Sequence, residues 1–259
     1  MMSQPLKTFL LCSSLAFALP STAEVHLIFK ASNNPEDKKA KDLALAPSEH
    51  VLNFVNAELD LHGDLDIIYG AEDGPLFDPK TMSIQIPYEF VHEVYRRFTT
   101  DKYHEQGIDE AQATGDAIMH TLLHEYGHAY VFANEVPVLG KEEDAVDNLA
   151  TILLLNFFEN GDEIAYSAAD LFALEDQDTS EYTESHFWDE HSLDAQRYFS
   201  TLCLIYGSDP EKYATMFEQE QIDEERDRFC IEEFEHQTQA WFEALQLSEY
   251  AEDKAKSTQ

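Results

Sequence analysis

The chain has 259 residues, of which 44% are hydrophobic, and it carries 52 acidic against 16 basic residues, a formal net charge of −36. This balance excludes general nucleic-acid binding, because contacts with phosphate need clustered lysine and arginine. It also opposes docking on anionic membranes. The length and hydrophobic content suffice for one substantial core.

The first 23 residues have the form of a cleavable signal peptide. Lys7 supplies a positive charge, Thr8–Leu19 an apolar segment, and Ser21–Ala23 the small residues that precede a cleavage site. The apolar segment is too short to span a membrane, which takes about 20 residues. We therefore expect a periplasmic or secreted protein with one domain over residues 24–259 and no membrane insertion.

The strand signals lie near the start of the mature chain. Val25–Phe29 and Asp66–Tyr69 are hydrophobic runs bounded by turn residues. Met82–Pro87 alternates, with Met82, Ile84 and Ile86 on one face, and its proline suits an edge strand or a strand end. A small N-terminal sheet is the expected result.

From Tyr88 onward the sequence predicts helices, so the expected fold class is α+β, predominantly α, with a helical C-terminal body. The predicted helices are Tyr88–Phe98, Asp109–Phe132, one that begins after Gly140, Asp162–Glu175, Ser192–Tyr206, Pro210–Glu218 and Asp223–Leu247.

One motif within the predicted helix Asp109–Phe132 carries chemistry. His124 and His128 are four residues apart, so both imidazoles lie on one helix face and can reach a single metal ion. Glu125 follows the first histidine directly and can touch a water bound to that ion. This is the HExxH arrangement of zinc metallopeptidases, in which the glutamate is the general base. His120 lies about 12 Å along the helix from His128, too far to share the ion, so we expect it to be a packed or solvated neighbour.

A catalytic zinc site has three protein ligands and an open position. Glu143 and Asp147 lie four residues apart where the next predicted helix begins. We predict Glu143 as the third ligand of one zinc ion, and Asp147 as the hydrogen-bond acceptor for the other nitrogen of a zinc-binding histidine. Acids in a first helical turn also complement the helix dipole. Glu142 and Asp144 therefore remain alternatives for the ligand.

HExxH followed by a helix with E-x-x-x-D resembles the gluzincin group of zinc peptidases, of which thermolysin is a member. More closely, Leu123–Tyr130, Pro137–Leu154 and Asp189–Pro210 resemble a bacterial family of putative metallopeptidases. The resemblance implies a zincin-like fold with the active-site helix beside a small sheet. In that fold an edge strand pairs with the extended substrate, and Met82–Pro87 is the candidate for this strand. An ordinary hydrophobic strand explains the same pattern equally well.

Glutamate-ligand zinc peptidases often take a histidine or tyrosine from a distant segment to stabilise the oxyanion of the reaction. By this resemblance His191, in the segment Ser185–Ser192, is the catalytic candidate. A histidine near a helix start, followed by Asp194 and Arg197 as a surface pair, explains the same pattern equally well.

Two cysteines remain after removal of the leader, Cys203 and Cys230. An oxidising compartment favours one disulfide between them. A pair of buried free thiols is the alternative.

The leading hypothesis is zinc-dependent peptide-bond hydrolysis by a secreted or periplasmic metallopeptidase, with Glu125 as general base on a zinc-bound water. The alternatives are an extracytoplasmic zinc-binding protein without proteolytic activity, and a module in which the metal only fixes two helices. Glu125 favours the peptidase, because a carrier has no use for a base beside an open coordination site. The expected partner is a peptide or protein substrate.

Overall fold

The computed structural model describes residues 23–219 and 224–247, and in this part of the chain a small sheet precedes a body of helices. The strands are β1 (Val25–Phe29), β2 (Leu65–Tyr69), β3 (Leu76–Asp78) and β4 (Ser83–Ile86). The α-helices are α1 (Pro35–Glu58), α2 (Tyr88–Thr100), α3 (Glu110–Ala133), α4 (Glu142–Phe157), α5 (Gly161–Asp176), α6 (Glu184–Trp188), α7 (Asp194–Ser208), α8 (Pro210–Gln219) and α9 (Glu224–Ala244). The predicted class, α+β and predominantly α, is confirmed. Residues 1–22, almost all of the predicted signal peptide, lie outside the described residues.

The sheet has the strand order β1-β2-β4-β3. β1 and β4 both pair in parallel with β2, and β3 pairs antiparallel with β4. β4 is therefore an inner strand, and the prediction of Met82–Pro87 as the edge strand for substrate is wrong. Met82 itself has a φ of 48° and lies before the strand, whereas Pro87 directly follows its end.

The edge strand at this side of the sheet is β3, which was not predicted from the sequence. It is only three residues long and lies between Pro75 and Pro79. Such a short run gives no alternation signal, and its flanking prolines indicate a loop.

Helix α1 was not predicted either, because its first half is rich in charge and Pro47 lies inside it. The side chain of Asn34 caps its start by accepting a hydrogen bond from the Glu36 N–H, and Pro35 occupies the first turn. Pro47 packs against Gly115 of α3, where a β-carbon would lie 2.9 Å from the proline ring. The helix thus tolerates its proline at a close crossing with α3. Its buried residues are Ala40, Ala44, Ser48, Val51 and Val55.

Helix α3 runs through the protein core. Its start is capped by the Asp109 side chain, which accepts hydrogen bonds from the N–H groups of Ala111 and Gln112. Most of its residues are buried, against α1, α2, α4 and α5. A helix buried on nearly all sides holds its side chains in fixed positions, which suits a site that needs defined geometry.

The predicted bridge between Cys203 and Cys230 is present and joins α7 to α9, with 5.0 Å between the two α-carbons. None of the helices in the described ranges combines the length and apolar character that crossing a membrane requires.

Candidate metal centre

The HExxH motif of α3 faces the first turns of α4, and a glycine sets the distance between the two helices. A β-carbon at Gly127 would lie 2.9 Å from both Cβ and Cγ1 of Val146. Any larger residue would push α4 outward. The close approach brings Glu143 and Asp147, which flank Val146 along α4, onto the histidine face of α3.

The two histidines of the motif direct their Nε2 atoms at one carboxylate oxygen. Oε2 of Glu143 lies 3.1 Å from Nε2 of His124 and 3.1 Å from Nε2 of His128. The two Nε2 atoms are 3.3 Å apart. The structure therefore brings the three predicted ligands together at one point.

The opposite ring nitrogens of both histidines face carboxylates. Nδ1 of His124 is 2.6 Å from Oδ1 of Asp147, and Nδ1 of His128 is 2.8 Å from Oε1 of Glu142. Such partners hold the proton on Nδ1 and leave Nε2 free as a metal ligand. The position of Asp147 is the one predicted for it. Glu142, an alternative ligand on the sequence pattern, faces the outer nitrogen of His128.

Two imidazole nitrogens and one carboxylate oxygen form a donor set that zinc takes in catalytic sites. The acceptors behind both histidines are those expected around a metal-ligating imidazole. The residues therefore fit a bound divalent metal ion.

Asp147 also accepts two hydrogen bonds from Arg197 of α7. The Nε of Arg197 lies 2.7 Å from Oδ2, and one terminal nitrogen lies 3.0 Å from Oδ1. The guanidinium stacks over the ring of Phe172 at 3.9 Å. Burial opposes ionisation of Asp147, but Arg197 and His124 outweigh it and hold the pKa of this carboxyl well below its usual range. This contact was not predicted from the sequence, which indicated Arg197 only as a surface partner of Asp194.

The histidines and carboxylates at the centre shift the pKa values of one another. Burial disfavours the charged imidazole of His124, yet the carboxylates of Asp147 and Glu143 raise its pKa to about 9. Burial likewise opposes ionisation of Glu143, but its contacts with His124, His128 and His191 place its pKa far below the usual range. The centre is thus built to hold positive charge next to Glu143.

Glu125 is 6% exposed and lines the cleft with both histidines of the motif. Burial raises the pKa of its carboxyl, while the neighbouring charges of His124 and His128 partly offset this. A carboxylate in such a poorly hydrated position is a better proton acceptor than one in water.

His191 lies in the short segment between α6 and α7 and reaches the same carboxylate. Its Nε2 is 3.0 Å from Oε2 of Glu143, and its ring stacks parallel to that of His124 with 6.2 Å between centroids. One ligand atom each from His124, Glu143 and His191 lie within 4.8 Å of one another. The structure thus places the predicted catalytic histidine at the centre, close enough to be considered as a ligand.

His120 is buried and its Nε2 lies 3.3 Å from the hydroxyl of Thr151. Its ring meets Phe172 edge-on. Burial lowers its pKa to about 4, so the ring is neutral at physiological pH. This is the packed neighbour that the spacing of the helix predicted.

A cleft of about 420 Å³ opens at the centre, and one of its walls is apolar. Phe132 at the end of α3 is 54% exposed and packs against Phe77 of β3, with 5.8 Å between ring centroids. The full lining consists of Pro75, Leu76, Phe77, Pro79, His124, Glu125, His128, Val131, Phe132, Glu142, Glu143, Glu190 and His191. An edge strand, an apolar wall and the candidate metal ligands therefore share one open groove.

The site thus combines a histidine pair on a buried helix, a glutamate from the next helix and an edge strand beside the cleft. The chain belongs to the DUF4344 family of putative metallopeptidases, whose model matches residues 30–245. No curated protein and no solved structure matches the chain significantly.

Proposed function

We propose that this protein is a gluzincin-like zinc peptidase that hydrolyses peptide bonds outside the cytoplasm. The observation that carries the proposal is the convergence of His124, His128 and Glu143 on one point, with the buried carboxylate of Glu125 in the same cleft. The proposed zinc ligands are these two histidines and Glu143. The predicted leader and the Cys203–Cys230 bridge support export.

A zinc ion in this place would supply Lewis acidity toward a water molecule and the substrate carbonyl. Glu125 accepts the proton of the attacking water on its carboxylate and delivers it to the departing amine nitrogen. Asp147 and Glu142 keep the two histidine rings in the orientation that presents Nε2. Arg197 keeps Asp147 ionised and in place.

His191 is the proposed donor to the substrate carbonyl oxygen, on which negative charge develops during attack. Its ring lies on the same cleft as Glu125. The backbone of an extended peptide adds to the open side of β3, since Leu76 and Phe77 of this edge strand line the cleft.

The decisive experiment uses Glu125→Gln, which keeps the shape of the side chain but removes the base. We expect full zinc content and a loss of chelator-sensitive peptide cleavage of about 10²-fold or more. Glu89→Gln, a matched change in the exposed first turn of α2, should cleave like the wild type. The assay is a broad peptide library with and without a chelator, followed by add-back of zinc.

Two results would contradict the proposal. Chelator-sensitive cleavage that persists unchanged in Glu125→Gln would remove Glu125 as the base. Equal zinc content in the wild type and in His128→Ala would remove the metal site itself.

The second candidate function, zinc binding without proteolysis, is favoured by one observation. His191 adds a fourth protein group beside Glu143, and closed four-ligand zinc sites are usually structural. A protein of this kind would bind zinc through the same residues and cleave no peptide in the library.

A further inference from the structure

The three histidines at the centre share one arrangement of their ring nitrogens. Each directs Nε2 toward Oε2 of Glu143, at 3.0 to 3.1 Å. Each also has a carboxylate near Nδ1: Asp147 at 2.6 Å from His124, Glu142 at 2.8 Å from His128 and Asp189 at 3.5 Å from His191. This arrangement is characteristic of imidazoles that ligate a metal. His191 shares the inner contact with Glu143 in full, but its outer contact with Asp189 is longer than a hydrogen bond.

His191 differs from the other two in its exposure and in the kind of segment that carries it. The His191 side chain is 41% exposed, whereas those of His124 and His128 are 7% and 13% exposed. The motif histidines are fixed on the buried helix α3, but His191 belongs to a connecting segment. Like Glu125, it lines both the cleft and a neighbouring cavity of about 190 Å³. A turn of this one side chain would change access to the centre without disturbing either metal-site helix.

The segment that carries His191 is tied to the start of α4. Nζ of Lys141 donates hydrogen bonds to the carbonyl oxygens of Asp189 and His191, at 3.2 and 3.0 Å. The hydroxyl of Ser192 donates to Oδ2 of Asp144 at 3.0 Å. Lys141 and Asp144 lie on either side of Glu143 in sequence. The turn that provides Glu143 therefore also holds His191 within reach of it.

We propose that His191 is a fourth, displaceable ligand of the metal, and that Lys141 is a positioning residue that keeps it in place. The proposal rests on the function proposed above and adds a means of regulating that site. His124, His128, Glu143 and His191 would together hold the ion in a closed site of protein ligands. A turn of the exposed His191 side chain would open one position to substrate, and the Lys141 tether would keep His191 beside the cleft for its return.

The test measures metal binding and does not depend on peptide cleavage. In His191→Ala we expect zinc affinity, measured by competition with a chromogenic chelator, to fall by about tenfold to 100-fold or more, as for lost groups around a metal. The visible absorption of bound Co²⁺ should change with the lost nitrogen ligand, and added imidazole should restore the wild-type spectrum. His186→Ala, in the adjoining helix α6, is the matched control and should leave both measurements unchanged.

Lys141→Met tests the tether while every proposed ligand remains. We expect a smaller loss of zinc affinity than in His191→Ala, and no change of cobalt spectrum in the fully loaded protein. This variant also keeps the proposal testable if His191→Ala folds poorly, because unchanged zinc affinity in Lys141→Met would overturn the positioning role.

The outcomes separate this proposal from the proposed function. Unchanged zinc affinity and cobalt spectrum in folded His191→Ala would overturn the ligand role, even if peptide cleavage were intact. Absence of cleavage by the wild type, together with the expected metal changes, would reject the peptidase and leave His191 as a ligand of a zinc-binding protein.

Discussion

Arg197 of α7 holds Asp147 of α4 by two hydrogen bonds, and Asp147 in turn contacts His124 of α3. Three helices are thus joined by one line of polar contacts behind the candidate metal. The guanidinium and the carboxylate are both largely buried, with side-chain exposures of 15% and 8%. Each charge depends on the other for its stability in the fold.

Arg197→Met should therefore destabilise the protein strongly. It leaves the Asp147 carboxylate buried without its main partner, a loss that typically costs about 3–5 kcal/mol. Urea unfolding measures this loss in the free energy of unfolding. The control is Arg96→Met on the exposed side of α2, whose stability should lie within about 0.5 kcal/mol of the wild type. Addition of Asp147→Asn to Arg197→Met should recover part of the loss. Equal stability of Arg197→Met and the control Arg96→Met would show that the buried pair contributes little to stability.

Zinc should stabilise the folded protein, because its proposed ligands come from two helices, His124 and His128 from α3 and Glu143 from α4, that meet only in the fold. At a free zinc concentration of 100 times Kd, the gain in the free energy of unfolding is about 2.7 kcal/mol. Thermal unfolding with zinc and with chelator measures this gain. In His128→Ala the difference between the two conditions should nearly vanish, and a full difference there would contradict the predicted ligand set.

Gly127→Ala should destabilise the contact between α3 and α4. Alanine is the better helix former by about 1 kcal/mol, but here its methyl group would lie 2.9 Å from Val146, and overpacking of this kind costs about 1–3 kcal/mol. We expect a net loss of stability and weaker zinc binding. Val146→Ala in the same chain removes the close contact with Cγ1 but keeps the one with Cβ, so it should recover part of both losses. Gly140→Ala, where a β-carbon meets nothing within 4 Å, is the control.

Asp116 of α3 makes stability depend on pH. The pKa of its carboxyl is raised to about 6, chiefly by burial and to a smaller extent by the charge of Glu163. The hydrogen bond from Ser167 lowers this pKa but does not offset the burial. Because the folded-state pKa lies above the ordinary value, the stabilising contribution is complete in acid and is lost as pH rises through about 6. Asp116→Asn removes the buried charge and should increase stability by up to about 3 kcal/mol at pH 8 but have little effect at pH 4. Urea unfolding at pH 4 and pH 8 measures the change in stability caused by Asp116→Asn. An equal change at both pH values would contradict this prediction.

Phe132→Ser tests whether the apolar wall of the cleft binds substrate. Phe132 is half exposed, so its replacement should change stability little. If a substrate side chain packs on it, kcat/KM for peptides with large apolar residues should fall by about tenfold, a typical loss for reduced apolar burial. Peptides with small residues are the internal control, and an equal decrease for both kinds would argue against the contact.

Much of the centre was predictable because it depends on local geometry. Helical spacing alone places His124 beside His128, and Glu143 beside Asp147. The same regularity predicted most of the helices. The Cys203–Cys230 pairing needed only a count of the cysteines that follow the predicted leader.

The missed features depend on contacts between distant segments. Arg197 is 50 residues from Asp147, and nothing in its own helix shows that it points inward. β3 becomes a strand only because β4 pairs with it, since three residues between prolines carry no pattern of their own. Pro47 inside α1 packs on Gly115, which is 68 positions away in the sequence, and neither segment shows this contact by itself.

The contact between Gly127 and Val146 limits the size of the residue at a position for which the HExxH motif specifies no residue type. In this protein the second unspecified residue of HExxH is Gly127. The helix α4, which carries the proposed third ligand Glu143, packs directly on it. A chain with a bulky residue there would have to hold its glutamate helix farther away and meet the metal by another route. In related sequences, the size of the residue just before the second histidine therefore indicates how closely these two helices can approach each other.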